Sequence, residues 1–205
     1  MNRSTLLGLL AVSLSLPLVG CSEAVPPLYD GAWWVDFEQG ANGSQCQLAG
    51  TLIGQSCIGV DSNPDANKCD SVTSDAHAGM VMDGMEGARM YCAVTQQGSG
   101  FALDIEAQQG ANYLKFSVAS IPATATESSP TAGLVTLVTD RVGKGYTSTS
   151  ANPCQFYFND AQRAQLAPGR VWVSFKCPTL QDPSANPASL CAVNQGYAAF
   201  QNCEN

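Results

Sequence analysis

The chain has 205 residues, of which 45% are hydrophobic and only 13% charged, and its formal net charge at pH 7 is -8. This length is enough for the core of one domain, or of two small ones. An acidic chain does not neutralise phosphate groups, so the composition argues against nucleic acid as a partner.

The first residues have the parts of an export signal. Arg3 supplies a positive charge, and an apolar run covers residues 6–18. Because this run is too short to cross about 30 Å of hydrocarbon as a helix, it predicts a signal peptide rather than a transmembrane span. The whole signal ends in Leu18-Val19-Gly20-Cys21, which resembles the lipobox of bacterial lipoproteins.

The resemblance implies that the peptide is cut before Cys21 and that the Cys21 thiol carries a diacylglyceryl group. Ordinary secretion, with Cys21 left as a plain thiol, is the alternative. In Gram-negative lipoproteins an aspartate after the acylated cysteine favours inner-membrane retention, so Ser22 implies the outer membrane. Since acidic side chains are repelled by anionic headgroups, we expect the lipid anchor to be the only membrane contact.

The expected organisation is a signal peptide over residues 1–20, a lipidated tether over residues 21–28 and one β-rich ectodomain over residues 29–205. The part of the tether after Cys21 reaches at most about 25 Å, so the domain should stay close to the membrane. Frequent Gly and Pro and recurring period-2 alternation predict an all-β fold. We expect an antiparallel β-sandwich or irregular barrel with long loops, held by disulfides.

The cysteine count supports disulfides. Eight cysteines follow Cys21, and an even number behind an export signal indicates disulfide bonds rather than zinc, because no Cys-x-x-Cys pair exists. The expected disulfide cysteines are Cys46, Cys57, Cys69, Cys92, Cys154, Cys177, Cys191 and Cys203. We expect the first four to pair among themselves, and proximity in the tail favours a bond between Cys191 and Cys203.

A strand is predicted over residues 32–38, where Trp33 and Trp34 lie on opposite faces and one of them should enter the core. Residues 40–88 are rich in Gly, Asn and Asp and predict long loops. Oxygen-bearing side chains in this segment partly resemble a calcium loop, although Ala66 and Val72 replace its glycine and bidentate glutamate. The candidate calcium ligands are Asp61, Asn63, Asp65 and Asp70; a turn-rich surface loop is the alternative.

The single histidine, His77, lies near several methionines in the same segment. Imidazole and thioether groups suit Cu⁺, which makes His77, Met80, Met82 and Met85 candidate copper ligands. Methionines also fill irregular gaps in cores, which is the alternative. A hydrolytic enzyme would have to use His77 or carboxylates, and the chain has no Gly-x-Ser-x-Gly motif around a serine.

Strands are predicted over residues 89–95 and 134–139, and a loop over residues 121–133. A first hairpin joins residues 101–107 to 113–120 through a connection over residues 108–112. Matching apolar positions would pair Leu103 with Phe116 and Ile105 with Leu114, and would set Asp104 opposite Lys115.

A second hairpin joins residues 154–158 to 171–177. One register pairs Phe156 with Phe175 and places Cys154 opposite Cys177. Opposed cysteines at a non-hydrogen-bonded pair have suitable spacing for a disulfide, so we predict the Cys154–Cys177 bond.

The same register places Tyr157 and Trp172 on the face away from Phe156, as diagonal neighbours. Such an aromatic pair could stack on a sugar ring or anchor a protein, unless a loop covers this face. The sequence therefore predicts a non-catalytic binding or structural module of the cell envelope without a cofactor, with a protein or glycan partner. Its domain would face the periplasm or the cell surface. An envelope hydrolase and a Ca²⁺- or Cu⁺-binding lipoprotein remain the alternatives.

Overall fold

The structure is a computed structural model that describes residues 28–39, 55–58, 80–138, 144–185 and 189–205, with residues 37–39 and 55–58 described as backbone. The fold is mostly antiparallel β-sheet with almost no helix, as predicted. Its strands are β1 (Asp30–Gln39), β2 (Gln55–Ile58), β3 (Val81–Met82), β4 (Arg89–Gln97), β5 (Gly100–Gln109), β6 (Asn112–Pro122), β7 (Thr131–Val138), β8 (Gly145–Thr147), β9 (Cys154–Tyr157), β10 (Val171–Asp182) and β11 (Ser189–Gln201). A 3₁₀ turn covers Met85–Gly87, and α1 covers Asp160–Arg163.

The strands form one sheet in the order β2-β1-β11-β10-β8-β7-β6-β5-β4, with β3 beside β1 and β9 between β10 and β7. The C-terminal tail, residues 202–205, follows β11 and pairs with β4 at the other edge of the sheet. Val94 N donates to Glu204 O at 2.8 Å, and Glu204 N donates to Cys92 O at 2.9 Å, so the tail pairs in parallel with β4. A β-sandwich or irregular barrel around one core is consistent with this arrangement.

Every second residue of the long strands faces the core, as a sheet with one covered face requires. Three phenylalanines fill its centre: the ring of Phe116 lies 5.2 Å from that of Phe156, and the ring of Phe156 lies 5.5 Å from that of Phe175. Trp33 joins this core, whereas Trp34 is also buried but lies on the other face.

The first hairpin has the predicted faces and a different register. Ile105 pairs with Phe116, and Glu106 pairs with Lys115, so the predicted pairing is wrong by two residues. The connection is shorter than expected, because β5 continues to Gln109 and only Gly110-Ala111 form the turn. Gly110 has a φ of 58°, which suits the first position of a tight hairpin turn.

The second hairpin has the predicted register. Phe156 pairs with Phe175 and Tyr157 with Ser174, and Cys154 forms the predicted disulfide with Cys177. The other predicted bond is wrong, because Cys203 pairs with Cys92 and not with Cys191. The pairing follows the tail, which runs along β4 and so brings two cysteines 111 residues apart within 4.8 Å between Cα atoms.

The structure describes the remaining cysteines to different extents. Cys191 is disulfide-bonded as well. Because Cys92 bonds to the tail, the expectation that the four N-terminal cysteines pair among themselves is wrong. Cys46 and Cys69 lie outside the described residues, and Cys57 is described as backbone within β2.

Four strands were not predicted. One of them, β8, is only three residues long and pairs with β7 and β10. β2 and β3 lie inside the segment expected to be loops, and both pair with β1. β11 is the longest strand, at 13 residues, and lies between β1 and β10. Its Ala, Gly, Asn and Gln residues have low strand propensity, so its position between two partners, rather than local preference, makes it a strand.

Candidate functional site

Strand register gathers four aromatic residues on the face of the sheet opposite the phenylalanine core. Trp34 pairs with Tyr197, Tyr197 pairs with Ser174, and Ser174 pairs with Tyr157. Trp172 lies two residues before Ser174 and so shares its face. We call this surface, carrying Trp34, Tyr157, Trp172 and Tyr197, the aromatic face.

Tyr157 and Trp172 lie on the predicted face, but they do not form an open pair. Tyr157 is only 8% exposed and Trp172 only 5%. The ring contact on this face joins Trp34 to Tyr197, stacked at 5.5 Å with 27° between their planes. Of the aromatic side chains described here, Tyr197 is the one on this face that stays partly exposed.

A short helix covers the aromatic face at Ser174. The side chain of Gln162 in α1 is fully buried on Ser174, donating to Ser174 Oγ at 2.7 Å and accepting from it at 2.9 Å. Asn159 begins the helix with a capping box: its Oδ1 accepts from Gln162 N, and Gln162 Oε1 accepts from Asn159 N. The spacing Asn-x-x-Gln is a recognisable helix-start signal that the sequence analysis missed.

Trp172 is covered from another direction. Met80 packs against Trp172 and Ala199, which form a small cluster apart from the main core. The Nε1 of Trp172 is buried and has no hydrogen-bond partner. A cavity of about 10 Å³ beside it is lined by Met80, Gln165 and Arg170, among others, which is room for about one water molecule. This site is too small for an organic ligand.

The exposed end of the aromatic face carries polar groups. Lys176, which shares this face with Ser174, forms an ion pair with Glu127. The side-chain amide of Gln195 donates to the hydroxyl of Tyr197. Burial, together with the smaller effects of Glu127 and Tyr197, raises the pKa of Tyr157 to about 12. The charges of Glu127 and Lys176 and the phenols of Tyr157 and Tyr197 act on one another. Together with Gln195 these residues form one connected site, which we call the polar rim.

Tyr197 has a raised pKa for the same reasons. Burial is the largest cause, the negative charge of Glu127 adds to it, and Lys176 opposes it. Both phenols are therefore neutral at physiological pH and can donate as well as accept hydrogen bonds. Sequence reasoning found Tyr157 but missed Tyr197, Lys176 and Glu127, because β11 was not predicted and Glu127 lies in a loop.

The candidate lipidation and metal-binding residues lie partly outside and partly inside the described ranges. Cys21, Asp61, Asn63, Asp65, Asp70 and His77 lie outside the described residues. Met80 is partly buried against Trp172 on the aromatic face, whereas Met82 and Met85 are 42% and 47% exposed. Among the residues that the structure describes, no group of three or more His, Cys, Asp or Glu side chains could hold a metal ion.

A second buried polar cluster has a local role. Asp182 is 2% exposed, and its Oδ1 accepts hydrogen bonds from Ser184 N at 2.8 Å and Ser184 Oγ at 2.6 Å. These bonds, helped by Lys144 at 3.7 Å, hold the pKa of Asp182 below its usual value. Asp182 thus stabilises the turn that follows β10.

No protein-family model matches this chain, and neither the curated proteins nor the solved structures contain a match. Within the described ranges, no helix is long and apolar enough to cross a membrane.

Proposed function

We propose that this chain is a lipid-anchored outer-membrane lipoprotein whose ectodomain is a non-catalytic binding module for an envelope glycan. The proposed anchor rests on the lipobox-like sequence ending in Cys21. The proposed binding site is the polar rim of the aromatic face, made of Glu127, Tyr157, Lys176, Gln195 and Tyr197. The observation that carries it is the partly exposed Tyr197 ring beside polar groups of several kinds.

The chemistry of the rim suits a polyhydroxyl ligand. Trp34 stacks against Tyr197 and fixes its ring, so little conformational entropy is lost when a sugar packs on it. Two neutral phenols, an amide, an ammonium and a carboxylate offer both donors and acceptors to hydroxyl groups. A protein partner would use the same ring as an anchor, and is the other outcome of the test.

The site is tested by calorimetric titration of the oxidised domain with purified cell-wall glycan fragments. We expect saturable binding that falls about tenfold or more in Tyr197→Ala, because a central aromatic contact supplies much of the binding energy. Lys176→Ala should weaken binding as well. Lys115→Ala is the matched control, since it removes an exposed ion pair with Glu106, 2.9 Å long, on β6.

The outcomes separate the class of ligand from the site. Glycan binding that persists in Tyr197→Ala and Lys176→Ala would overturn the assignment to the polar rim. Absence of glycan binding, with capture of an envelope protein lost in Tyr197→Ala, would replace the glycan by a protein partner.

The anchor is tested separately by labelling cells with radioactive palmitate. The wild-type chain should incorporate label and Cys21→Ala should not. A wild-type chain that is exported and carries no label would overturn the anchor.

A further inference from the structure

Exposed large hydrophobic side chains are concentrated in one region of the described structure. Five such residues are more than a third exposed, and four of them are Leu28 at 53%, Met82 at 42%, Met85 at 47% and Tyr91 at 38%. The fifth, Leu134 at 44%, lies on β7. We call the first four, together with Tyr29, the collar.

The collar surrounds the start of β1. Met82 pairs with Asp30, the first residue of that strand, and Asp83 N donates to Tyr29 O at 2.8 Å. The ring of Tyr29 meets that of Tyr91 edge-on at 6.1 Å. Met85 opens the 3₁₀ turn that follows β3, and Leu28 precedes Tyr29. Backbone pairing and one ring contact therefore bring these residues together around the start of β1, at the end where the chain enters the domain.

We propose that the collar rests on the surface of the lipid bilayer in which Cys21 is anchored. This inference depends on the proposed lipid anchor. Leu28 is the seventh residue after Cys21, and seven residues span at most about 25 Å. The chain thus leaves the bilayer and enters the domain at the collar, which makes this end the one that the anchor holds nearest to lipid.

The composition of the collar suits the membrane interface. Tyrosine rings with a polar end are favoured at the headgroup level, and flexible methionines adapt to an irregular surface. The Tyr29 hydroxyl donates to Glu204 Oε1 at 3.0 Å, so its polar end already has a partner. Tethering makes the contact intramolecular, and a weak apolar contact is then well populated.

Charge around the collar indicates which lipids it accepts. Asp83, Glu86 and Glu204 lie among or beside its residues, and Arg89 is the cation at the start of β4. The excess of negative charge disfavours anionic headgroups. We therefore expect contact with zwitterionic phosphatidylethanolamine, and the earlier expectation that the anchor is the only membrane contact would then be too narrow.

Methionine oxidation tests the collar directly. The full chain is reconstituted in phosphatidylethanolamine–phosphatidylcholine vesicles and treated with hydrogen peroxide, and the sulfoxide at each methionine is followed by mass spectrometry. The Cys21→Ala chain, free in solution, is the comparison. Buried Met90, at 8% exposure, is the internal reference. If contact with lipid lowers the exposure of Met82 and Met85 to the 8% of Met90, their oxidation should slow about fivefold on vesicles.

A matched reporter on another surface is available. Leu134→Met places a methionine at a site with 44% exposure, away from the collar. Its oxidation rate should be the same on vesicles and in solution. Equal rates for Met82 and Met85 in the two states, with the protein shown to float with the vesicles, would overturn the inference. So would concentration-dependent protection of the Cys21→Ala chain in solution, because a second copy would then cover the collar.

A failure of the proposed anchor does not by itself decide whether the collar contacts lipid. If the wild-type chain does not float, the anchor is overturned. The Cys21→Ala chain carrying an N-terminal histidine tag is then held on vesicles containing nickel-chelating lipid. Slower oxidation of Met82 and Met85 there would support the collar as a lipid-facing surface, and unchanged rates would overturn it.

Discussion

Removing the disulfide of the tail should destabilise the protein more than removing that of the second hairpin. The first variant is Cys92→Ala/Cys203→Ala and the second is Cys154→Ala/Cys177→Ala. The two bonds close loops of 111 and 23 residues. The entropy of closing such loops in the unfolded chain corresponds to about 4.8 and about 3.4 kcal/mol, so we expect a difference of about 1.4 kcal/mol.

Comparing the two variants cancels most contributions to the free energy of unfolding other than loop closure. Both variants lose two buried sulfur atoms, since the four cysteines are between 0% and 8% exposed. The cavity contributions are therefore similar. The assay is urea unfolding followed by tryptophan fluorescence, with the free energy of unfolding taken from the midpoint and slope. An equal or larger loss in Cys154→Ala/Cys177→Ala would refute the reasoning.

Hydrogen exchange adds a local test of the same bond. The tail is held to β4 by the Val94 and Glu204 amides, whose hydrogen bonds are 2.8 and 2.9 Å long. Both amides should exchange faster when the bond between Cys92 and Cys203 is absent, because the tail can then detach from β4. They should stay protected in Cys154→Ala/Cys177→Ala. Unchanged exchange in the first variant would show that the backbone pairing alone holds the tail.

Further tests address the core, the aromatic face and its titration. Phe156→Ala should lower the free energy of unfolding by about 3–5 kcal/mol in urea titrations, because Phe156 is fully buried; a loss below about 1 kcal/mol would contradict the described core. Gln162→Ala should cost about 1–3 kcal/mol by thermal unfolding, since it leaves the buried Ser174 hydroxyl without its partner. The raised pKa of Tyr157, about 12, favours the protonated phenol in the folded state, so its contribution is complete below pH 10 and lost as the pH rises towards 12. Stability measured across this range should fall less steeply in Tyr157→Phe than in the wild type, and equal slopes would refute this contribution.

Local pattern was sufficient for the fold class and for one complete hairpin. The alternation of β9 and β10 fixed which residues face the core, and the cysteines at one end selected the register with Phe156 opposite Phe175. The first hairpin shows the limit of the same reasoning. A shift of two residues leaves every side chain on its face, so alternation cannot choose between Phe116 and Leu114 as the partner of Ile105. The turn at Gly110 decides it.

The candidate site depended more on contacts distant in sequence. The pattern placed Tyr157 and Trp172 on the correct face, because alternation determines the side of a strand on which a residue lies. What covers that face was decided elsewhere, by Gln162 on Ser174 and by Met80 on Trp172. The exposed ring that remains belongs to Tyr197 on β11.

The sequence by itself determined the alternation, the likeness to an export signal and the disulfide within one hairpin, because each depends on residues close together in the chain. Only the tertiary structure decided that Cys203 reaches Cys92 and that Tyr197 lies beside Trp34. Both follow from the position of β11 between β1 and β10 and from the course of its tail along β4. Pairing between distant strands is selected by burial and by closure of the whole sheet, and neither is encoded in a local stretch of residues.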